Sequence, residues 1–274
     1  MRALTIPTLL AGAALCGLGC AGQKGAQIED AGEITVEYDG LDFVEQSCTG
    51  RTLSFKFEVA NGTRLAKAFD NVKYTFSFNG KDVADTQSPV SLDVAPGKKG
   101  TFEIRVKVEY PADPKEYMDF IRKRSAPYRL NGVLSGGGGE VPVKAEHDMG
   151  LPELPDVHIP GAAIASGEKG EVGFTFDIFV KNRNVFPMKV DYVSYDLQIE
   201  GVPVGNGRIA EMEKVPPTSD LAYTFPATMD LKTHGARFKD ILGKKSMNWT
   251  LSGVLSVEGI ALPVQKSGTI TFTR

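Results

Sequence analysis

Tyr128–Val143 reads YRLNGVLSGGGGEVPV, and Trp249–Val264 reads WTLSGVLSVEGIALPV. Taken alone, the first stretch looks like a glycine-rich loop of the kind that holds a phosphate. Its echo keeps the flanking residues and loses most of the glycines. A shift of 121 sets Tyr128 on Trp249, Gly132-Val133-Leu134 on Gly253-Val254-Leu255 and Pro142-Val143 on Pro263-Val264. The same shift carries Asn61 to Asn182, Asp70 to Asp191, Tyr74 to Tyr195, Gly80 to Gly201, Val83 to Val204 and Asp119 to Asp240. From Asn61 through Val143 there are 19 identities in 83 ungapped positions, where about five are expected from average composition. A repeat of this length marks a duplicated domain. Upstream, Phe55-Lys56-Phe57 meets Phe174-Thr175-Phe176 at a shift of 119. That offset predicts two extra residues before Asn182 in the second copy.

Both copies are built of period-2 segments. Phe55, Phe57 and Val59 alternate with Lys56 and Glu58; Tyr74, Phe76 and Phe78 alternate with Thr75 and Ser77. Phe102, Ile104, Val106 and Val108 alternate with Glu103, Arg105 and Lys107. Phe174, Phe176 and Ile178, then Tyr195, Leu197 and Ile199, continue the pattern in the second copy. Such alternation means strands with one buried and one wet face, hence antiparallel sheets packed as a sandwich. Asn79-Gly80, Pro96-Gly97 and Glu258-Gly259 mark turns between them. Each copy also predicts one short helix: Tyr117, Phe120 and Ile121 in Pro114–Arg124, and Phe238, Ile241 and Leu242 in the second, stand at i, i+3, i+4. Both helices run into basic residues, Arg122-Lys123-Arg124 and Lys244-Lys245. These favour a helix C-terminus, or could meet lipid headgroups or an acidic partner.

The fold class is therefore all-β, two tandem antiparallel β-sandwiches with one helix each. Gly136 to Gly139 become a hairpin between Tyr128–Leu134 and Val141–Val143. They lack the Gly-Lys-Ser/Thr ending and the following helix that a phosphate cradle requires. PGKKGT at Pro96–Thr101 fails in the same way.

The start of the chain, MRALTIPTLLAGAALCGLGCAG, has one cation at Arg2 and an apolar run from Ala3 to Leu18. That run is too short to span a bilayer and fits a secretory signal peptide. Gly17-Leu18-Gly19-Cys20 resembles a bacterial lipobox, which implies a signal peptide at 1–19 and lipid attached to Cys20. The alternative is an ordinary signal peptide cleaved near Ala21. Ala21 after the cysteine is similar to an outer-membrane address, which implies a lipoprotein of the bacterial cell envelope facing the periplasm. Residues 20–32 are small and polar and read as a flexible lipidated tether. Sandwich 1 is expected over 33–149 and sandwich 2 over 156–274. The linker 150–155 carries two prolines, Pro152 and Pro155.

Loss of residues 1–19 removes one of 31 cations and none of 34 acids, moving the formal charge from −3 to −4. A mildly acidic chain has no electrostatic case for nucleic acid. Of the three cysteines, Cys16 leaves with the signal and Cys20 takes lipid, so Cys48 has no internal partner. It falls in QSCTG, a turn between strands, as an inert small residue or as an intermolecular disulfide or reactive thiol.

Asn182-Arg183-Asn184-Val185-Phe186-Pro187-Met188, Val193-Ser194-Tyr195-Asp196-Leu197, Gly201-Val202-Pro203-Val204-Gly205 and Trp249-x-Leu251-x-Gly253 together resemble the group 2 late embryogenesis abundant domain. That domain is also called the water stress and hypersensitive response (WHy) domain. Arg183 stands where the family has proline. The first copy keeps Asn61, Tyr74, Gly80 and Leu130-x-Gly132, with Asn61-Gly62-Thr63 as its turn and Ala84 in place of Gly205. The resemblance implies a seven-stranded sandwich with one helix, of the immunoglobulin or fibronectin type III kind, and no catalytic residues. Physically, Asn182 and Asn184 can bond their own backbone. Tyr195, Tyr128 and Trp249 are large enough to fill a two-sheet core and carry a polar edge that can bond backbone.

Chemistry is sparse. His147 sits between Glu146 and Asp148, which point to the opposite face of a strand. His158 alternates with Val157 and Ile159 and should face solvent, and His234 precedes the second helix. No HExxH, CxxC or GxSxG occurs. The expectation is a non-enzymatic, lipid-anchored envelope module with no metal and no cofactor. It would serve in desiccation or envelope stress, with an envelope protein as a possible partner. The alternative is a carrier or adaptor for a lipid or small ligand, held between sheets or between domains.

Overall fold

The computed structural model describes residues 32–160, 162–165, 171–210, 212–230, 244 and 246–271. The expected signal peptide, Cys20, all but the last residue of the tether, His234 and nearly all of the second helical segment lie outside them. The first half builds β1 (Ile34–Gln46), β2 (Gly50–Asn61), β3 (Lys67–Phe78), β4 (Lys81–Val94) and β5 (Lys99–Glu109). Helix α1 (Pro114–Ile121), β6 (Ser125–Gly136) and β7 (Gly139–Gly150) follow. The second half holds β8 (Asp156–His158), β9 (Ala162–Ala165), β10 (Glu171–Lys181), β11 (Met188–Ile199) and β12 (Val202–Ala210). It closes with β13 (Lys214–Val215), β14 (Asp220–Asp230), β15 (Ser246–Val257) and β16 (Ile260–Thr271).

Among the described residues all the strand pairings are antiparallel, in four sheets. In the first half β1-β2-β5 faces β4-β3-β6-β7. In the second, β14-β10-β8 with β9 faces β12-β11-β15-β16 with β13. The chain is thus an all-β protein of two sandwiches with one strand order. The registers agree residue by residue. Phe55 pairs with Ile104 and Phe57 with Phe102, while Phe176 pairs with Phe225 and Ile178 with Tyr223. These pairs differ by 121 throughout, as do Leu41↔Phe55 and Ala162↔Phe176. The offset of 119 is therefore corrected. Phe55 corresponds to Phe176, not Phe174, and no extra residues precede Asn182. Two Phe-x-Phe strings matched by coincidence, because any even slip of a period-2 pattern keeps the same face inward.

The edge strand differs between halves. β1 runs unbroken through a bulge between Tyr38 and Gly40. At the same place in the second half the strand is split into β8 and β9. Pro160 stands there and has no N–H to give the ladder.

The core follows the predicted alternation. Phe55, Phe57 and Ile104 from one sheet and Phe76, Leu130 and Leu134 from the other are fully buried. Their rings meet across the sandwich, Phe55 lying 5.5 Å from Phe76 and 5.3 Å from Tyr128 between centroids. In the second half Phe176, Ile178, Leu197, Trp249 and Leu251 do the same work. Two aromatic expectations need correction. Tyr195 is only half-buried, with its ring over Gly207, where a Cβ would come within 2.9 Å of the hydroxyl. The Tyr128 hydroxyl bonds the Tyr38 hydroxyl at 2.9 Å rather than backbone.

Helix α1 begins at the Asp113 cap, whose carboxylate accepts from the Lys115 and Glu116 amides, and it buries Tyr117, Phe120 and Ile121. It ends one turn earlier than predicted, so the basic run lies beyond the helix. Gly132 and Gly253 explain their place in the repeat by close approach. A Cβ on Gly132 would meet the Lys73 carbonyl at 2.7 Å, and one on Gly253 the Ser194 carbonyl at 2.0 Å. No described helix is long and apolar enough to cross a membrane.

Candidate functional site at the junction

A buried asparagine ties the corresponding turn of each sandwich, between β2 and β3 and between β10 and β11. Asn61 donates through Nδ2 to the carbonyls of Leu65 and Val94 (2.8 Å each), while its Oδ1 accepts from the Thr63 amide and hydroxyl. Asn182 donates to Phe186, Val215 and Pro216 carbonyls, and its Oδ1 accepts from the Asn184 amide at 2.9 Å. The second turn also reaches outward. Asn184 Nδ2 donates to the Glu153 carbonyl at 2.9 Å and Oδ1 accepts the Glu153 amide at 2.7 Å. A side chain that satisfies both backbone groups of one linker residue fixes that residue's plane. From the other side, the Leu151 amide donates to the Arg124 carbonyl. The linker is pinned by both sandwiches.

The hairpin opposite the opening glycines completes the junction. Gly137-Gly138 corresponds to Glu258-Gly259, both in the left-handed region at φ 49° and 86°. The Glu258 carboxylate accepts the Cys48 amide at 2.8 Å, 210 residues away. The glycines were replaced where the turn meets a neighbour. Beneath that contact the inward face of β2 carries Arg51, only 8% exposed. Its guanidinium donates to the Gly150 carbonyl and lies 4.9 Å from the Phe43 ring centroid. Burial pulls Arg51 below its usual pKa, against the opposing influence of Tyr110, Cys48 and Tyr117. Arg51 Nε and the Tyr110 hydroxyl have no hydrogen-bond partner among the described residues. Arg51 was not expected here, although the count Arg51, Leu53, Phe55 already put it on the core face.

Cys48 is in the predicted turn and buried, and burial, with Glu258 adding to it, pushes its thiol well above the ordinary range. That is the inert alternative. Gly137 and Gly138 form the predicted hairpin turn, with Gly136 paired to Gly139, and Pro96–Thr101 leads into β5. His147 and His158 are exposed, His158 stacking on Phe179 at 5.2 Å. Glu146 pairs with Arg129 instead of approaching His147. Among the described residues no group of three His, Cys, Asp or Glu side chains could hold a metal. An apolar seam including Leu151 and Val157 joins the two cores, so that the buried residues are continuous through the junction. Beside it opens a cleft of about 540 Å³.

Residues 177–268 match the family described as "Late embryogenesis abundant protein". The second sandwich therefore contains a domain of that type. Comparison with curated proteins gave no match. Among solved structures, a protein from Archaeoglobus fulgidus is 16% identical at a TM-score of 0.29, over 44% of this chain and 99% of its own. The Amycolatopsis orientalis exo-chitosanase CsxA is 16% identical at a TM-score of 0.23, over 78% of this chain and 25% of the enzyme. At these scores neither likeness carries an argument about activity.

Proposed function

We propose that the chain is a non-enzymatic lipoprotein of a bacterial cell envelope. Cys20 is its lipid attachment site, residues 20–32 are its tether, and tandem late-embryogenesis-abundant (WHy-like) sandwiches over 33–149 and 156–274 are its body. It faces the periplasm from the outer membrane and acts as a structural or binding module in desiccation or envelope stress. The observation that carries this reading is the pinned linker. Asn184 on Glu153, Arg124 on Leu151 and Glu258 on Cys48 hold two sandwiches as one body with wet outer sheet faces. Such a body suits holding surfaces apart or presenting a fixed face. One buried acyl chain would hold it weakly, and two or three durably.

A second reading, a carrier or adaptor for a lipid or small ligand, draws support from the cleft beside the linker. Fractionation and crosslinking of native envelopes test the first. The wild-type chain should sediment with outer membranes in high salt and crosslink to an envelope protein, while Cys20→Ala should appear in the soluble fraction without that crosslink. Equal membrane association of both would overturn the anchor.

A further inference from the structure

The cleft at the junction has a rim of three arginines, Arg122, Arg124 and Arg183, above a floor that includes Ile121, Leu151 and Leu154. The rim residues come from two segments with fixed backbones. Arg122 caps α1, and Arg124 follows in a left-handed turn at φ 64°. There its amide donates to the Ile121 carbonyl and its own carbonyl accepts from Leu151. Arg183 stands between Asn182 and Asn184, whose buried side chains hold the turn and the linker. Apolar Ile121 and Leu151, both buried, and half-buried Leu154 line its base.

The charge of this place runs against the acidic whole. Arg122 and Arg183 reach Asp119 and Asp156 at 3.3 Å, and Lys266 also reaches Asp156 at 3.2 Å. These are exposed pairs, which bind weakly and exchange readily. Arg124 has no carboxylate within ion-pair distance among the described residues. Among the residues lining the cleft three cations, Arg122, Arg124 and Arg183, stand against one carboxylate, Glu153. The repeat shows that the fold does not demand these side chains. A shift of 121 places Gly62 at the site of Arg183, Gly243 at that of Arg122 and Lys245 at that of Arg124. None is arginine in the other copy, yet all three meet at one cleft.

We propose that this cleft binds a phosphate group carried on an apolar stem. Guanidinium forks from two sides suit a tetrahedral acceptor with several oxygens, and the Ile121, Leu151 and Leu154 floor takes the stem. This rests on the carrier reading and is independent of lipid at Cys20. The test is calorimetric titration of the full chain with dihexanoyl phosphatidate, inorganic phosphate and dihexanoyl phosphatidylcholine. Phosphatidate should bind saturably at one per chain, about tenfold or more tighter than phosphatidylcholine, because its headgroup carries no competing cation. Arg124→Gly, which keeps the left-handed backbone, and Arg183→Gln should each weaken it about fivefold or more, and Lys98→Gln on a distant turn should not. Phosphatidate binding tighter than inorganic phosphate supports the stem, and equal binding of the two overturns it. Should Arg124→Gly fail to fold by circular dichroism, Arg183→Gln decides. No saturable binding of either phosphate compound, or binding untouched by both arginine changes, overturns the proposal. A neutral lipid found by mass spectrometry would then keep the carrier reading while removing the phosphate.

Discussion

Asn182 is fully buried, and its side chain serves three carbonyls, the Asn184 backbone N–H and the Asn184 Nδ2. Leaving buried backbone groups unpaired costs about 1–3 kcal/mol each time. Asn182→Ala should therefore lower the denaturant midpoint by the equivalent of at least about 2 kcal/mol, with little change in slope. Asn61→Ala should do the same in the first sandwich. A shift below about 0.5 kcal/mol would mean that these amides are incidental. The asparagines were legible in the sequence because the repeat and the family resemblance both single them out. The second role of Asn184, holding Glu153, was not, since nothing local marks a contact across 31 residues. Burial at the junction also sets a pH dependence. The Cys48 thiol is raised, Tyr110 is pushed up to about 12, and Tyr117 is raised too, in each case chiefly by burial. Each of these groups stays protonated in the folded chain at pH values where the unfolded chain loses its proton. Stability is then complete below about pH 8.5, the usual thiol value, and falls as pH rises past it, more steeply past about 10 where free tyrosine ionises. Cys48→Ala should remove the first part of that decline and leave the second, as read by urea unfolding at stepped pH. A thiol reagent at pH 8 should label Cys48 only after unfolding.

At the scale of elements, the strands were readable because a period of two leaves no choice of face. The pairs Phe55↔Ile104 and Phe176↔Phe225 followed from residue type alone once the register was set. Register itself was the weak point, since a slip of two preserves the alternation and two Phe-x-Phe strings invited it. The sheet partners settle what the string match could not. Turns were equally legible where glycine takes a left-handed position, as at Gly80 and Gly201 (φ 76° and 74°). What a turn touches was not legible. Glu258 looks like an ordinary hairpin residue until Cys48 is brought to it. Glu258→Ala should speed hydrogen exchange at the Cys48 amide and leave the cores of both sandwiches protected. Unchanged exchange at Cys48 would show that the contact does not hold the junction.

The whole molecule is one sandwich made twice, with facing sheets drawn from the same half and an apolar seam between the copies. Sequence alone suggested two separate interiors. Val157 was marked by its alternation with His158, but Leu151 escapes periodicity because it lies in the linker, where no alternation announces burial. Each copy should therefore fold alone, but less stably than in the intact chain, because separation wets that seam. The sharpest test is expression of residues 33–155 by themselves. This fragment should be a cooperative, β-rich unit with a single unfolding transition at lower denaturant than the full chain, and Phe55→Ala should cost it about 3–5 kcal/mol. An unfolded fragment, or one without a cooperative transition, would contradict independent folding of the copy.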